Sequence, residues 1–359
     1  MQRRKSLRLI AAGLLVSVLL AAASQAAERP GVAPGTAVAT GPVWPMPPQP
    51  ARVRFVQSVG GAADWGVARS VWGRIVDVVT GRHALQFVRP TGVAEQDGVL
   101  YIADAGAQSV IVFDAPRHKE IRVTRAGNDV LVSPVAVAPG PQQTVYVADS
   151  YLKKVLLLDR DGNLLRVVAS AGLERPSSLA FDVRSGRLYV GDSKAHVVHV
   201  FDAHGTAVAV LGRLGAGPGE FNTPTHLAVA PNGDLAVTDA LNYRVQVFSA
   251  DGQFKYQIGE IGDGSGNFAA PKGVGIDQEG QVFVADAMFD AVQIFDPSGR
   301  LLLGFGGQGQ QAGQFWMPNG LYIEGDRLFV ADAYNRRIQV FLLEPRAAGQ
   351  SALSQGAQP

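Results

Sequence analysis

The sequence of 359 residues contains no cysteine. Disulfide bonds, covalent haem attachment, thiolate metal sites and a cysteine nucleophile are therefore excluded, and so is the lipid anchor that bacterial export signals attach to a cysteine. Charge is scarce as well, because only 18% of the residues are charged and the formal net charge is +1. This balance gives no sign of a nucleic acid or an anionic membrane as partner.

Apolar residues, glycine and proline are abundant instead. Hydrophobic residues make up 47% of the chain, and it contains 42 glycines and 21 prolines. The apolar fraction is enough for a sizeable core, and glycine and proline spread along the whole chain favour many short strands joined by turns.

The N-terminus has the pattern of a secretory signal. Four basic residues stand within the first eight, an apolar run of about fifteen residues follows, and small residues occupy Ser24 and Ala26. We predict cleavage after Ala26 and a periplasmic or secreted mature protein without an integral membrane segment, because the apolar run is short for a membrane anchor. Removal of four basic and no acidic residues changes the net charge from +1 to about −3.

The export route stays open in the sequence. Arg3 and Arg4 form half of a twin-arginine signal, but Ser6 stands where that signal has an aromatic residue, which favours the general secretory route.

Two further segments are predicted to lie outside the folded domain. Residues 27–51 are rich in proline, glycine and alanine without apolar periodicity, and we predict an extended linker, with a docking segment around Trp44 as the alternative. The end of the chain, 344–359, is predicted to be a flexible tail.

One unit recurs six times in the remaining sequence. The stretch VADAYNRRIQVF, residues 330–341, aligns with YIADAGAQSVIVF, YVADSYLKKVLLL, YVGDSKAHVVHVF, AVTDALNYRVQVF and VFVADAMFDAVQIF. Each copy keeps its aspartate, and a proline precedes each aspartate by 14 to 16 residues. The aspartates are Asp104, Asp149, Asp192, Asp239, Asp286 and Asp332, and the prolines are Pro90, Pro134, Pro176, Pro224, Pro271 and Pro318.

Within each unit, hydrophobicity alternates with a period of two between turn signals such as Asn232-Gly233 and Asp251-Gly252. This predicts four short antiparallel strands per unit, and such a repeat every 43 to 47 residues is typical of a propeller blade.

The repeats resemble the NHL repeat family, whose pattern is a proline, a G-[VL]-A-like strand, [YF]-V-[AG]-D, a turn and [RK]-[VI]-x-V-F. The resemblance covers about residues 52–343. It implies an all-β, six-bladed β-propeller of four-stranded antiparallel blades. It implies little about activity, because the family includes scaffolds, sensors, RNA binders and enzymes.

The sixth unit lacks a fourth strand, because the chain ends soon after its third. The segment RVRFVQSVG, residues 52–60, has the alternation of a strand and is similar to FKYQIGEIG in the fourth unit. We predict that this N-terminal strand closes the last blade and leaves the ring without a free edge.

Residues 63–81 break the strand pattern. Apolar residues there follow a helical spacing, with Asp64 as a candidate N-cap and Gly81 as a stop. We predict a helical insertion at about 64–80 that packs on the propeller, with a partner-docking helix as the alternative.

The repeated aspartates are predicted to be structural. A carboxylate at the end of a strand accepts hydrogen bonds from the backbone of the following turn, and a basic residue five positions later can pair with it, as at Arg244, Arg337 and Lys154. Equivalent carboxylates around a ring cannot all belong to one catalytic site.

Other motifs give no catalytic site. The glycine-rich runs 211–221 and 304–315 lead into strands rather than helices, so they are predicted to connect blades instead of cradling phosphate. The acidic residues Asp182, Asp277 and Glu324 precede tight turns and are predicted to serve them, with a calcium site like that of lactonase propellers as the alternative.

Histidine ligands for zinc, as in amidating-lyase propellers, are not in position. At the two positions after the blade-opening prolines, only His226 is a histidine. The others, His83, His118, His196, His199 and His204, are predicted in turns or outer strands, and a single histidine does not make a zinc site. We therefore expect no metal and no cofactor.

We predict a non-catalytic, monomeric binding platform for a protein, peptide or cell-envelope component, with no nucleic acid as partner. Variable loops around one face would recognise the partner. A metal-dependent propeller enzyme, amidating-lyase-like or lactonase-like, is the alternative. The predicted contact residues are Thr91, Ser177, His226, Lys272 and Asn319 at the channel mouth, with Tyr151 and Trp316 as aromatic anchors.

Overall fold

The computed structural model describes residues 41–67 and 86–345. In this part the chain forms 27 β-strands and three short 3₁₀ helices, Ala62–Trp65, Pro141–Gln143 and Ala240–Asn242. None of the described helices is long and apolar enough to span a membrane. The predicted signal peptide, most of the predicted helical insertion and the chain beyond 345 lie outside the described residues.

The strands are numbered in chain order, and 25 of them fall into six sheets of four or five strands, which we call blades 1 to 6. Before blade 1 come β1 (Val43–Trp44) and β2 (Val53–Val59). Blade 1 consists of β3 (Pro90–Gln96), β4 (Val99–Asp104), β5 (Ser109–Asp114) and β6 (Lys119–Val123). A small hairpin of β7 (Arg125–Ala126) and β8 (Asp129–Val130) follows.

Blade 2 consists of β9 (Pro134–Pro139), β10 (Val145–Asp149), β11 (Lys154–Leu158) and β12 (Leu164–Ala169). Blade 3 consists of β13 (Pro176–Asp182), β14 (Arg187–Asp192), β15 (Val197–Phe201) and β16 (Ala207–Leu211). Blade 4 consists of β17 (Pro224–Val229), β18 (Leu235–Asp239), β19 (Arg244–Phe248) and β20 (Phe254–Ile258).

Blade 5 consists of β21 (Pro271–Ile276), β22 (Val282–Asp286), β23 (Ala291–Phe295) and β24 (Leu301–Gly306). Blade 6 takes β25 (Pro318–Glu324), β26 (Arg327–Asp332) and β27 (Arg337–Leu343) from the end of the chain, and its order is β1-β2-β27-β26-β25.

The first strand of each blade is the innermost. These six strands contact one another in the order β3, β9, β13, β17, β21, β25 and back to β3, so they form a closed ring around the central channel of the propeller. Each begins with a proline, which fits the first position of a strand because proline has no backbone N–H to donate.

The two faces of the ring follow from the antiparallel order. The repeated aspartates end the second strand of every blade and pair in register with the blade-opening prolines, as Asp104 does with Pro90. The turns after the aspartates, the connectors between blades and the proline ends of the inner strands therefore share one face, which we call the Asp face. Turns between the first and second strands lie on the opposite face.

The N-terminus closes the ring as predicted. Strand β2 pairs antiparallel with β27, and the backbone N–H of Glu344 donates to the carbonyl of Arg52 at 2.9 Å. One sheet is thus made from both ends of the propeller, which confirms the predicted closure and removes the free edge of β27.

The predicted linker 27–51 needs correction at its end. Strand β1 lies inside it and adds a fifth strand to blade 6, pairing Val43 with Arg54 and Trp44 with Val53. The indole of Trp44 packs on Phe305, with a ring distance of 5.3 Å, and on Phe341 at 6.1 Å. Trp44 therefore contacts its own propeller.

The predicted N-cap role of Asp64 is also wrong. Asp64 lies inside the 3₁₀ helix Ala62–Trp65, whose N-cap is Gly61. Its carboxylate accepts the backbone N–H groups of Gly60 and Gly61 at 2.9 and 3.1 Å. Asp64 therefore stabilises the start of this helix from a position inside it.

The core lies between neighbouring blades. Where the sixth blade meets the fifth, Phe283, Val292 and Phe341 are buried with Leu328 and Phe315 in one apolar cluster. Phenylalanines of the connectors repeat this packing, since Phe221, Phe268 and Phe315 are fully buried beside the last phenylalanine of a third strand. Burying each such ring contributes about 2 to 3 kcal/mol, so the glycine-rich connectors are anchored to the blades.

Candidate functional site

All six repeated aspartates are fully buried. In blade 5, the carboxylate of Asp286 accepts backbone N–H groups from Ala269 and Ala270 before the inner strand, and from Met288 and Phe289 in the turn after it. The same pattern recurs at Asp104, Asp149 and Asp192. Each carboxylate thus fixes both its turn and the start of the inner strand beside it.

A basic residue supports the aspartate in two blades. Arg244 donates to Asp239 at 2.9 Å, and Arg337 donates to Asp332 at 2.7 Å. The predicted pairing of Lys154 with Asp149 is wrong, because the Lys154 ammonium contacts Asp129 at 2.5 Å. Asp129 belongs to the extra hairpin between blades 1 and 2, which brings a second carboxylate within reach of that lysine.

The turns that the aspartates hold display large apolar side chains. The second residue after the aspartate is Tyr151 in blade 2, Leu241 in blade 4, Met288 in blade 5 and Tyr334 in blade 6. Their exposed fractions are 72%, 55%, 64% and 52%, respectively. Because the turns occupy equivalent positions in the blades, these side chains form an arc on the Asp face, which we call the apolar arc.

Trp316 extends the apolar arc toward the connector. Its ring lies 5.6 Å from that of Tyr334, and its backbone N–H donates to Asp332 at 2.8 Å. Both aromatic anchors predicted from the sequence, Tyr151 and Trp316, are exposed on the Asp face. They belong to different repeats.

Glutamines in three blades fasten the connectors that flank this arc. Gln246 accepts the N–H of Gly219 at 2.9 Å and donates to the carbonyl of Glu220 at 2.7 Å. Gln293 and Gln339 make the same pair of bonds to their own connectors. Two exposed apolar residues, Leu214 and Ile261, stand on connectors held in this way.

The residues that follow the prolines line the channel mouth, and all six are half-buried. The hydroxyl of Thr91 donates to the carbonyl of Ala103 at 3.2 Å. The hydroxyl of Ser177 contacts the carbonyl of Pro224 in the next blade at 2.9 Å. These two predicted contact residues therefore use their hydroxyl groups within the protein.

The side chains of His226 and Asn319 contact each other at the channel mouth. Nε2 of His226 in blade 4 lies 3.1 Å from Oδ1 of Asn319 in blade 6. Burial, together with the positive charge of Lys272, lowers the pKa of His226 to about 3, although the hydrogen bond with Asn319 acts in the opposite direction. The imidazole is therefore neutral at physiological pH and donates its Nε2 proton to Asn319.

The position of His226 is unusual among the blades. Equivalent positions carry Gly92, Gly273 and Gly320, where an added Cβ would approach backbone atoms of the next blade at 2.9, 2.4 and 2.5 Å. Blade 4 thus carries an imidazole where three other blades hold no side chain, so packing alone does not explain this residue.

Lys272 in blade 5 completes this group. Its pKa is lowered, chiefly by burial, while the carboxylate of Asp286 acts in the opposite direction. The structure therefore brings His226, Lys272 and Asn319 together at one side of the channel mouth, whereas Thr91 and Ser177 lie in blades 1 and 3.

Asp182 and Asp277 behave as the turn residues that the sequence predicts, whereas Glu324 bonds to a side chain of its own strand. Asp182 accepts the N–H of Arg184 at 3.0 Å, and Asp277 accepts those of Glu279 and Gln281 at 2.9 and 2.8 Å. Glu324 accepts the hydroxyl of Tyr322 at 2.9 Å. Among the described residues, no three His, Asp or Glu side chains cluster in a way that could hold a metal ion.

The remaining described histidines lie outside the inner strands. His118 and His204 occupy turns of the opposite face, His199 lies in the third strand of blade 3, and His196 accepts the N–H of Thr223 at 3.1 Å in an Asp-face turn. His83 lies outside the described residues.

Two family models match parts of the sequence. One, described as a 6-bladed beta-propeller, matches residues 230–299, and the NHL repeat model matches residues 315–341. The chain is a six-bladed β-propeller, and the NHL match falls on its sixth blade. A comparison with curated proteins found no significant match.

Solved structures share this propeller fold. A structural genomics protein of unknown function from Bacteroides thetaiotaomicron is 16% identical with a TM-score of 0.59, over 82% of this chain and 76% of that one. A gluconolactonase from Xanthomonas campestris is 19% identical with a TM-score of 0.56, over 72% and 87%. A chain of the nidogen/laminin complex is 20% identical with a TM-score of 0.51, over 62% and 83%. At these identities the similarity shows the fold alone.

Sequence reasoning missed part of the Asp face of the propeller. Leu241, Met288 and Tyr334 were not among the predicted contacts, although each stands at the same distance from its aspartate as Tyr151. Comparing this single position across the six repeats would have found them. The glutamines of the third strands recur at one position in blades 4, 5 and 6 and could have been found in the same way.

Proposed function

We propose that the propeller is a non-catalytic binding platform that engages a protein or peptide partner through its Asp face. The observation that carries the proposal is the apolar arc of Tyr151, Leu241, Met288 and Tyr334, exposed on turns that buried aspartates hold. The aspartate accepts backbone N–H groups of the turn in blades 2 and 5, and the side-chain amide of an asparagine of the turn in blades 4 and 6. Following the predicted export signal, the partner is a periplasmic, extracellular or cell-envelope component.

Turn positions in contact with water ordinarily carry small or polar residues. Large apolar side chains gathered on one face are typical of interaction sites, and tyrosine, methionine and tryptophan are enriched at protein interfaces. The rigid turns reduce the conformational entropy lost on binding, because the side chains are presented on a fixed backbone. The nidogen/laminin complex is an example of this fold within a protein complex.

The proposal is tested by capture from a native envelope extract with paired variants. A double variant with Tyr151→Ser and Tyr334→Ser lacks two aromatic side chains of the apolar arc and keeps all six aspartates. The matched control is Val183→Ser, which changes a 77% exposed apolar residue on the opposite face. We expect the wild type and the control to retain the same partner, and the double variant to recover it at least tenfold less, since interface aromatic residues often carry 2 kcal/mol or more.

Equal recovery by the double variant and the wild type would contradict the proposal. The enzymatic alternative has its own test, which is elemental analysis of protein purified without chelators. One tightly held divalent ion per chain would favour the metal-dependent enzyme over the platform.

A further inference from the structure

Lys272 is a half-buried cation at the channel mouth without a partner of its own. Among the described residues, its ammonium group takes part in no hydrogen bond or ion pair. Asp286, the carboxylate whose charge acts on it, already accepts backbone N–H groups with both oxygens. The ammonium itself stays accessible to solvent, so an anion that enters the channel mouth can pair with it.

Two polar atoms of the neighbouring inner strand, β17, are unsatisfied. Within the described part of the chain, Nδ1 of His226 and the hydroxyl oxygen of Thr225 are buried and have no hydrogen-bond partner. Nε2 of His226 is occupied by Asn319, so Nδ1 is the free acceptor of a neutral ring. Buried polar atoms normally have partners, and a group of them at one mouth indicates the place of a ligand.

The residues at the channel mouth indicate the sign of the ligand's charge. The residues after the six prolines are Thr91, Val135, Ser177, Thr225, Lys272 and Asn319, which include one cation and no acid. A single ammonium is neutralised by a single negative charge, which favours a carboxylate over a doubly charged phosphate.

The free groups also differ in hydrogen-bond type. Lys272 and the hydroxyl of Thr225 can donate to carboxylate oxygens, whereas Nδ1 of His226 needs a donor from the ligand. The C-terminal residue of a peptide carries both groups, since its carboxylate is followed within a few ångströms by its own backbone N–H.

We propose that the channel mouth formed by Thr225, His226, Lys272 and Asn319 binds the C-terminal carboxylate of a peptide, with the adjacent peptide N–H directed to His226. This deepens the proposed function, because it names the group that the partner presents, and it rests on that function for the partner's identity. The site itself is independent of the apolar arc.

The test uses N-acetyl-Gly-Gly as the probe and protein labelled with ¹⁵N at its six histidines. We expect the probe to shift the His226 signals saturably, with those signals assigned from the His226→Gln variant. The same peptide with an amidated C-terminus, which lacks the negative charge, is expected to produce no saturable shift.

Variants locate the charge that is required. Lys272→Met is expected to weaken the probe's apparent Kd about tenfold or more, since a charge-assisted bond is lost. The matched control is Lys194→Met, an exposed lysine in an Asp-face turn of blade 3 whose ammonium pairs with Glu174, and it is expected to leave the Kd unchanged. The unaltered signals of the other histidines report that each variant is folded.

Equal binding of the amidated peptide, or an unchanged Kd in Lys272→Met, would overturn the proposal. Acetate is the third probe of the binding test. Weaker binding of acetate than of N-acetyl-Gly-Gly assigns the carboxylate to a peptide, and equal affinities would overturn that assignment in favour of a free acid. Because the probe does not reach the partner's apolar contacts, Tyr151→Ser with Tyr334→Ser tests the platform separately.

Discussion

At the residue scale, one carboxylate performs the same structural role in every blade. Asp332 is fully buried and accepts bonds from Trp316, Asn335 and Arg337. The sequence was sufficient to predict this role, because six equivalent aspartates cannot form one active site. The partner of Lys154 could not be predicted, because Asp129 reaches it only through the folding of a hairpin 25 residues earlier.

The residues around the channel mouth show the same limit. His226 could be singled out, since it alone breaks the pattern after the prolines. Its contact with Asn319 could not, because the two lie 93 positions apart and meet only when the ring closes.

His226 leads to a prediction about pH. Its pKa is lowered from 6.5 to about 3 in the folded protein, chiefly by burial. The unfolded chain therefore binds one more proton between these values, so this residue's contribution to stability is fully present above pH 6.5 and is lost as the pH falls toward 3. At pH 5 the loss is about 2 kcal/mol.

Urea unfolding at pH 7 and pH 5 measures this effect. The His226→Gln variant is expected to lose about 2 kcal/mol less than the wild type over that interval, since it lacks the titrating group while the carboxylates are common to both. His204→Gln, a change in an exposed turn, serves as the control and is expected to follow the wild type. An identical loss in His226→Gln would show that the imidazole is not held neutral.

At the element scale, strand alternation predicted the blades well and predicted their edges poorly. The closing strand β2 was found from its alternation and its similarity to β20. Strand β1 was not, because two residues among prolines carry no periodicity, and its place depends on the packing of Trp44 against Phe305 and Phe341.

Truncation separates the contributions of these two strands. Three chains begin at Gly41, Ala51 and Gly60, so that they keep both strands, lose β1, or lose both. The free energy of unfolding of the chain without β1 is expected to be about 2 kcal/mol lower, because the apolar neighbours of Trp44 become exposed. The chain without both strands exposes the edge of β27 and is expected to unfold at much lower temperature or to aggregate.

Thermal unfolding and light scattering of the three proteins test this expectation. Equal unfolding midpoints for the chains that begin at Ala51 and Gly60 would mean that β2 does not hold the ring closed. Equal midpoints for those that begin at Gly41 and Ala51 would remove the role assigned to Trp44.

At the scale of the whole molecule, the ring is closed by hydrogen bonds within a blade rather than by contact between two blades. Interblade contacts are mainly side-chain packing, as in the cluster around Phe341, whereas β2 and β27 share a backbone ladder. The ends of the described propeller also meet, since the N–H of Glu344 donates to Arg52. The same sequence can therefore be joined at these ends and opened elsewhere.

Two circular permutants with the same short linker between 344 and 52 distinguish the kinds of closure. One begins at Gly252, in the exposed turn between β19 and β20, so blade 4 is again built from both ends of the chain. The other begins at Gly264, in the exposed connector between blades 4 and 5, so every blade is continuous and only side-chain packing closes the ring. We expect the permutant that begins at Gly264 to unfold at lower urea concentration, because separating two blades there breaks no strand pairing. Equal midpoints would place the stability of the ring in interblade packing and would deny the shared blade a special role.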